Sequence, residues 1–357
     1  MPAPRRLAAA AAALALSLTA AACGGTSGTS DTSPPASASG GDGTAAGRGA
    51  APASGYPVKI ENCGTTQVFD KAPSRVVVMN GASVAEVSTL LALGLGDRIA
   101  ANQQSYGMSE VPGRAEAIKK LPTGGVRQND AFGVPRESMI GLRPDLVLST
   151  TSYGFDARNG FATRDELKNV GARTYISPQG CHDENSRLTI EDSYRLLRDM
   201  GRIFHVSGRA ERIIAASRRH IDAVSAKVKG RKKPNVMMLF TNMTMGSNDF
   251  SAVVAKGIYN DILGRAGATN VFENASKTSF ADLSKEKVAA TDVDALVVIA
   301  YQDPDPAAYA EKLFKEFPQW PAAKNHTYVT LSDSIYLSPD NDLAVERLAK
   351  KLHPEAF

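Results

Sequence analysis

The stretch Ser207–Lys229, SGRAERIIAASRRHIDAVSAKVK, reads as one long amphipathic helix. Ile213, Ile214, Ile221, Val224 and Val228 recur at helical spacing, with Arg212, Arg218, Arg219 and Asp222 mostly between them. Ser207 is placed to cap the first turn, and Glu211 puts negative charge near the positive end of the macrodipole. Gly230 and Pro234 close the helix, and its last turn carries Lys227 and Lys229. At about 1.5 Å per residue it reaches roughly 30 Å, long enough to run along two lobes. Periodicity alone also fits an ordinary long helix of one domain.

The flanking sequence favours two lobes. RESMIGLRPDLVLST (Arg136–Thr150) precedes the helix and KEKVAATDVDALVVIA (Lys285–Ala300) follows it. Each has a glutamate at the start of a short amphipathic helix, Glu137 and Glu286, and an aspartate eight positions on, Asp145 and Asp294. Each ends in an apolar strand, Leu146–Leu148 and Ala295–Ile299. The repetition suggests two α/β halves of one design. Other continuous apolar strands, Arg75–Asn80, Ile99–Asn102, Arg173–Ile176, Val236–Phe240 and Thr327–Leu331, alternate with helical segments, as in parallel α/β layers. Val58–Val68 reads as a short hairpin around Cys63-Gly64. The expected fold is therefore α/β, two Rossmann-like lobes over 56–206 and 231–357, joined by a rigid helix over 207–230, with a ligand cleft between the lobes.

The 357 residues, 43% hydrophobic and 22% charged, are ample for two cores. A formal charge of +4, from Lys and Arg scattered along the chain, is no nucleic-acid signature. Arg5 and Arg6 followed by the apolar run Leu7–Thr19 read as a secretory leader over 1–23, too short to span a membrane. Cys23, after Ala20, Ala21 and Ala22 and before two glycines, resembles a bacterial lipobox, in which the cysteine is lipidated. Ala20 stands where leucine is usual, and a plain signal peptide cleaved nearby is the alternative. Residues 24–55, rich in Ser, Thr, Gly, Ala and Pro, cannot bury enough apolar surface to order themselves and read as a tether. The remaining cysteines, Cys63 and Cys181, are an even pair in an exported chain, which favours a disulfide. A metal site is the alternative, with only His182 beside them.

Enzyme signatures are absent from the sequence. It has no G-x-S-x-G, H-E-x-x-H, Walker loop or G-x-G-x-x-G after a strand, and its five histidines show no metal spacing. The loops beyond the strands instead carry aromatic, amide and thioether side chains: Tyr153 and Phe155; Asn242, Met243, Met245, Asn248 and Phe250; and Tyr301. Tyr106 and Arg127 stand in loops of the first half. Ligands of open α/β sheets bind beyond the carboxyl ends of strands, and adaptable Met with flat aromatics suits a bulky, partly apolar ligand.

NCGTTQVFDKAPSRVVVMN, LLALGLGDRI, GLRPDLVLS, GATNVF and the final LHPEAF together resemble the periplasmic-binding-protein family for iron–siderophore and cobalamin import, over roughly Val58 to Phe357. The resemblance implies two α/β lobes joined by one long helix, no catalysis, an ABC permease dimer as partner, and two surface glutamates that pair with permease arginines. Glu137 and Glu286 match those positions; a helix-start glutamate serving the dipole is the plainer reading of each alone. The expected protein is a monomeric lipoprotein anchored outside the cell membrane. It binds a ferric siderophore-type chelate, carrying iron only within that chelate and no cofactor or directly bound metal of its own. Cobalamin, haem or a deazaflavin precursor are alternative ligands; the last fits a subgroup with a similar NCG segment and a second cysteine after a Ser-Pro pair, as in Ser177-Pro178-Gln179-Gly180-Cys181. An exported enzyme or metallochaperone is the alternative of another class.

Overall fold

The computed structural model describes residues 55–81, 83–104, 109–181, 188–243, 248–335 and 338–357. The leader, Cys23 and the 24–54 segment lie outside the described residues. The first half runs β1 (Val58–Asn62), β2 (Thr65–Phe69), β3 (Val76–Val78), α1 (Ala85–Ala92), β4 (Ile99–Asn102), α2 (Arg114–Lys119), α3 (Arg136–Gly141), β5 (Leu146–Thr151), α4 (Arg164–Asn169) and β6 (Arg173–Gly180). Then come α5 (Ile190–Ile203) and α6 (Ser207–Val228). The second half runs β7 (Asn235–Phe240), β8 (Val253–Val254), α7 (Ile258–Arg265), β9 (Thr269–Asn270), β10 (Phe280–Ala281), α8 (Lys285–Ala289), β11 (Ala295–Ala300), α9 (Pro306–Glu316), α10 (Pro321–Lys324), β12 (Tyr328–Ser332) and α11 (Asn341–Leu352).

Strands β4-β3-β5-β6 form an all-parallel sheet. In the second sheet β9, β7, β11 and β12 repeat that order, again parallel, and β8 and β10 add an antiparallel extension beyond the end of β7. The expected alternation of apolar strands with helices therefore holds. Side chains of each strand alternate between two layers, as the pleat requires. Val76, Val78, Leu146 and Leu148 enter a core that continues into Val236, Met238, Val297 and Ile299 of the other sheet. Val77, Met79 and Val147 face a core confined to the first half, and Met237, Leu239 and Val298 one confined to the second.

The repeated eight-residue spacing has a structural cause. The Asp145 carboxylate at the start of β5 accepts from the backbone N–H of Ser74 at 2.7 Å and of Arg75 at 2.8 Å, at the start of the neighbouring β3. The Asp294 carboxylate at the start of β11 accepts from the backbone N–H of Asn235 at 2.8 Å, at the start of β7. Each aspartate satisfies a donor that would otherwise begin its strand unpaired. The helices α1 and α7 end alike too. Gly94 and Gly267 follow them at φ of 75° and 81°, and the next N–H reaches back to Leu90 O and Leu263 O. This is a Schellman closure, in which positive φ is open to glycine without a Cβ penalty.

Helix α6 buries Ala210, Ile214, Ser217, Ile221, Val224 and Val228 against α5 on one side and α11 and α7 on the other. Ser207 lies inside its first turn, and Val206 takes the cap position with no side-chain bond, so the expected Ser207 cap does not form. The two ends of α6 rest near equivalent places: Arg209 packs on Gly94, and Val228 on Gly267. Both glycines lead into strands at their amino ends, so α6 follows the amino-terminal edges of both sheets.

The hairpin β1–β2 turns at Cys63-Gly64 as read from sequence, with φ of 50° and 71°. Cys63 is disulfide-bonded to Cys181 just beyond β6, with an S–S distance of 2.06 Å. Beside it the Asn62 side chain imitates a strand, donating to Ile176 O at 2.7 Å and accepting from Ile176 N–H at 2.9 Å.

Candidate ligand cleft

Loops from both sheets converge at the carboxyl ends of the strands. Asn80 follows β3, Asn102 ends β4 and Gln103 follows it, and Tyr301 and Gln302 follow β11. With Arg127, Gln128 and Phe132 they line a cavity of about 850 Å³, within the roughly 300–1,000 Å³ usual for small-molecule sites. Another concavity, about 660 Å³ between α6 and α7, lies at the amino edge of the second sheet, where no strand-end loops meet.

Phe132 is the most conspicuous side chain here, 73% exposed and held at φ 58°. A turn built on Asn129 keeps it there. The Asn129 carboxamide oxygen accepts from Ala131 N–H at 3.1 Å and Gly133 N–H at 3.3 Å, and Asn80 donates to Phe132 O at 3.1 Å. Gln302, at φ 50°, and Asn242, at φ 52°, also occupy the left-handed region, and the Asn242 amide donates to Gln302 O at 3.3 Å. Non-glycine residues in this conformation persist where the surroundings over-determine them, and they concentrate at binding sites. Burial, reinforced by the Asp333 carboxylate, holds the Tyr301 phenol above its ordinary pKa.

Of the side chains expected at the ligand, Arg127 and Tyr301 line the cavity. Asn242 adjoins it through Gln302. Tyr153 is exposed and donates to Ala131 O at 3.1 Å, bracing the Phe132 turn. Met243 is half-buried against the shared core. Phe155 is buried in the first-half core. Phe250 is buried in the second-half core beside Phe317. The Asn248 carboxamide oxygen caps Phe250 N–H at 2.7 Å, and its amide bonds Asp282. Tyr106 and Met245 lie outside the described residues. The strand-end amides Asn80, Asn102, Gln103 and Gln302 were missed. A stricter use of the strand-end rule finds them, because each stands within two residues of a strand terminus.

The halves are also tied by polar contacts. The buried Glu110 carboxylate accepts from Ser332 N–H at 2.7 Å and from the hydroxyls of Ser332 and Ser334. Ser109 donates to Asp340 at 3.2 Å, and burial pushes the Asp340 carboxyl up to about 6. Within the first half, the buried Glu86 accepts from Gln104 at 2.8 Å and from Ser177.

Glu137 and Glu286 each stand second in a short helix that runs back towards the amino end of the next strand, which puts both on the cavity side. Glu137 is 81% exposed, 3.4 Å from Arg136. Its own backbone N–H and the Ser284 hydroxyl hold the Glu286 carboxyl below its usual range. Among the described residues no group of three or more His, Cys, Asp or Glu could hold a metal ion, and no helix is long and apolar enough to cross a membrane.

Two α/β layers with an open cleft at the strand ends define a two-lobed binding protein. Residues 76–334 match the profile described as "Periplasmic binding protein", and the chain belongs to that family, as its motifs suggested. Solved structures agree on the fold. A protein of an ABC-type Fe3+-hydroxamate transport system from Saccharomonospora viridis is 24% identical, with TM-score 0.64 over 83% of this chain and 99% of that one. A periplasmic binding protein from Veillonella parvula is 21% identical, with TM-score 0.66 over 83% and 97%. The periplasmic haem-binding protein HutB of Vibrio cholerae is 20% identical, with TM-score 0.59 over 78% and 99%. No curated protein sequence matches the chain.

Proposed function

We propose that this chain is the solute-binding lipoprotein of an ABC importer. In this reading it captures a ferric siderophore-type chelate in the cleft and hands it to the permease dimer. The observation that carries the ligand class is the cavity lining. Arg127 offers a permanent positive charge, the strand-end amides give the wall polar character suited to carbonyl and hydroxamate oxygens, and the exposed Phe132 and half-buried Tyr301 offer flat apolar surface. A family neighbour described by its Fe3+-hydroxamate transport system supports the same class. Cys23 carries the lipid, residues 24–55 are the tether, and α6 is the stiff connection between lobes 56–206 and 231–357. Glu137 and Glu286 meet arginines of the permease from the cavity side.

Calorimetry with ferric trihydroxamate and ferric tricatecholate tests the ligand. At least one should bind, and Arg127→Ala or Phe132→Ala should weaken it by about tenfold or more. Heat from a corrinoid or haem alone would move the assignment to that ligand, and no binding of any such chelate would contradict it.

A further inference from the structure

We infer that the face opposite the cleft, formed by α5, α6 and the α6–β7 turn, is a docking surface for an anionic phospholipid bilayer. Residues 191–233 hold 12 Lys and Arg against 5 Asp and Glu, whereas the whole chain holds 41 against 37. The segment made of α5, α6 and the turn after them is therefore net positive, and the rest of the chain is left with more anions than cations.

The arrangement on α6 sharpens this. Its buried stripe is Ala210, Ile214, Ser217, Ile221, Val224 and Val228. Directly opposite, at helical spacing, stand Arg212, Ala216, Arg219, Ala223 and Ala226, with Arg209 at the same ridge one turn earlier. All six are exposed. Of the acids of this helix, Glu211 lies off the ridge and is already paired with Arg198 at 3.2 Å, and Asp222 borders the ridge three residues after Arg219. No described residue forms an ion pair with Arg209, Arg212, Arg219, Lys229, Lys232 or Lys233. Alanines between arginines let the helix axis come close to a flat surface, which matters because such attraction fades within roughly 8 Å at physiological salt.

A second observation concerns the same end of the molecule. The chain before the fold enters at the corner between α5 and α6. Tyr56 stacks on His205 with ring centroids 4.7 Å apart and donates to Ile203 O at 2.7 Å, and His205 bonds Gly55 O at 3.1 Å. Gly55 therefore stands at the α5–α6 corner, at one end of the basic face. This step rests on the proposed lipid anchor. An anchor upstream of Gly55 holds the protein near the headgroups, and contact through the ridge leaves the cleft, at the opposite ends of the strands, facing outward. Delivery then requires release from the bilayer and docking by the cavity side.

Vesicle co-sedimentation of the chain carrying Cys23→Ser tests the face without anchor, ligand or permease. It should bind phosphatidylglycerol vesicles at low salt, not phosphatidylcholine vesicles, and lose binding as salt rises. Each basic residue near an anionic surface contributes about 1 kcal/mol, so Arg209→Gln with Arg212→Gln and Arg219→Gln should weaken binding roughly 100-fold. Glutamine keeps the helix propensity, and Lys312→Gln with Lys315→Gln on α9, which packs into the core confined to the second half, should change little. Equal binding to both vesicle types, full binding by the triple variant, or equal affinity for a DNA duplex would overturn the assignment. Because no chelate is present, failure here leaves the cleft assignment standing, and failure of chelate binding leaves this one.

Discussion

The first sheet runs β4-β3-β5-β6 and the second β9-β7-β11-β12, and the parts the two lobes share are those that satisfy backbone. An aspartate at the start of the third strand ties down its neighbour, and a positive-φ glycine closes the helix after the first. What differs lies at the carboxyl ends. The first half contributes Arg127, Phe132 and most of the amides to the cavity, while the second contributes Tyr301 and Gln302. The second half instead adds the β8–β10 extension and a deep aromatic layer, in which Phe317 stacks on Trp320 at 4.4 Å. Repeated residues thus mark the chassis, and the residues that break the repeat mark the ligand site.

The comparison can be broken most severely through the disulfide, which only the first half has. Cys63→Ser with Cys181→Ser opens a loop spanning 118 residues and should cost about 4–5 kcal/mol in the chain-entropy model. Denaturant unfolding checks this, and a loss below about 1 kcal/mol would show the bridge to be incidental.

The equivalent glycines sharpen it next. A Cβ on Gly267 would stand 2.9 Å from Val228 Cγ2 and from the ring of buried His353, whereas one on Gly94 would meet only the end of the flexible Arg209 side chain. Gly267→Ala should cost about 3 kcal/mol, and Gly94→Ala about 1–2 kcal/mol from strain alone. Equal losses would mean that the packing around α6 is not as asymmetric as drawn. The aspartates follow. Asp145 accepts from two backbone N–H groups and the Ser74 hydroxyl, and Asp294 from Asn235 N–H. Asp145→Ala should therefore cost about 2 kcal/mol and Asp294→Ala about 1 kcal/mol. The reverse order in matched unfolding curves would discard the strand-tying role.

The smallest effect concerns motion. A hydrophobic core continuous from Leu146 through α6 to Ile299 leaves little to slide, so X-ray scattering should give radii of gyration within about 1 Å with and without ligand. A contraction of several ångströms would show that the shared core opens.

Most of the chassis was legible in sequence because periodicity and punctuation act locally. Helix α6 ends at Val228, close to Gly230, and β4 spans Ile99–Asn102 as read. The short strands β8, β9 and β10 were not, since two-residue pairings leave no period. Phe155 and Phe250 looked like ligand contacts from their place after strands, but one-dimensional position does not say which way a ring turns. The cation excess over 191–233 is countable in sequence, but which of these residues share the exposed ridge of α6 depends on which side of the helix packs against α5 and α11.

The most direct test of the account joins both lobes. Reversing both helix-start glutamates, Glu137→Arg with Glu286→Arg, leaves the cavity lining untouched, so chelate affinity by calorimetry should be unchanged. Truncating one partner of a close interfacial charge pair can cost about 2–5 kcal/mol, so uptake in cells carrying the double variant should be abolished and each single reversal partly defective. Normal uptake by the double variant would contradict docking through the paired lobes, and lost chelate affinity would place these glutamates in the binding site.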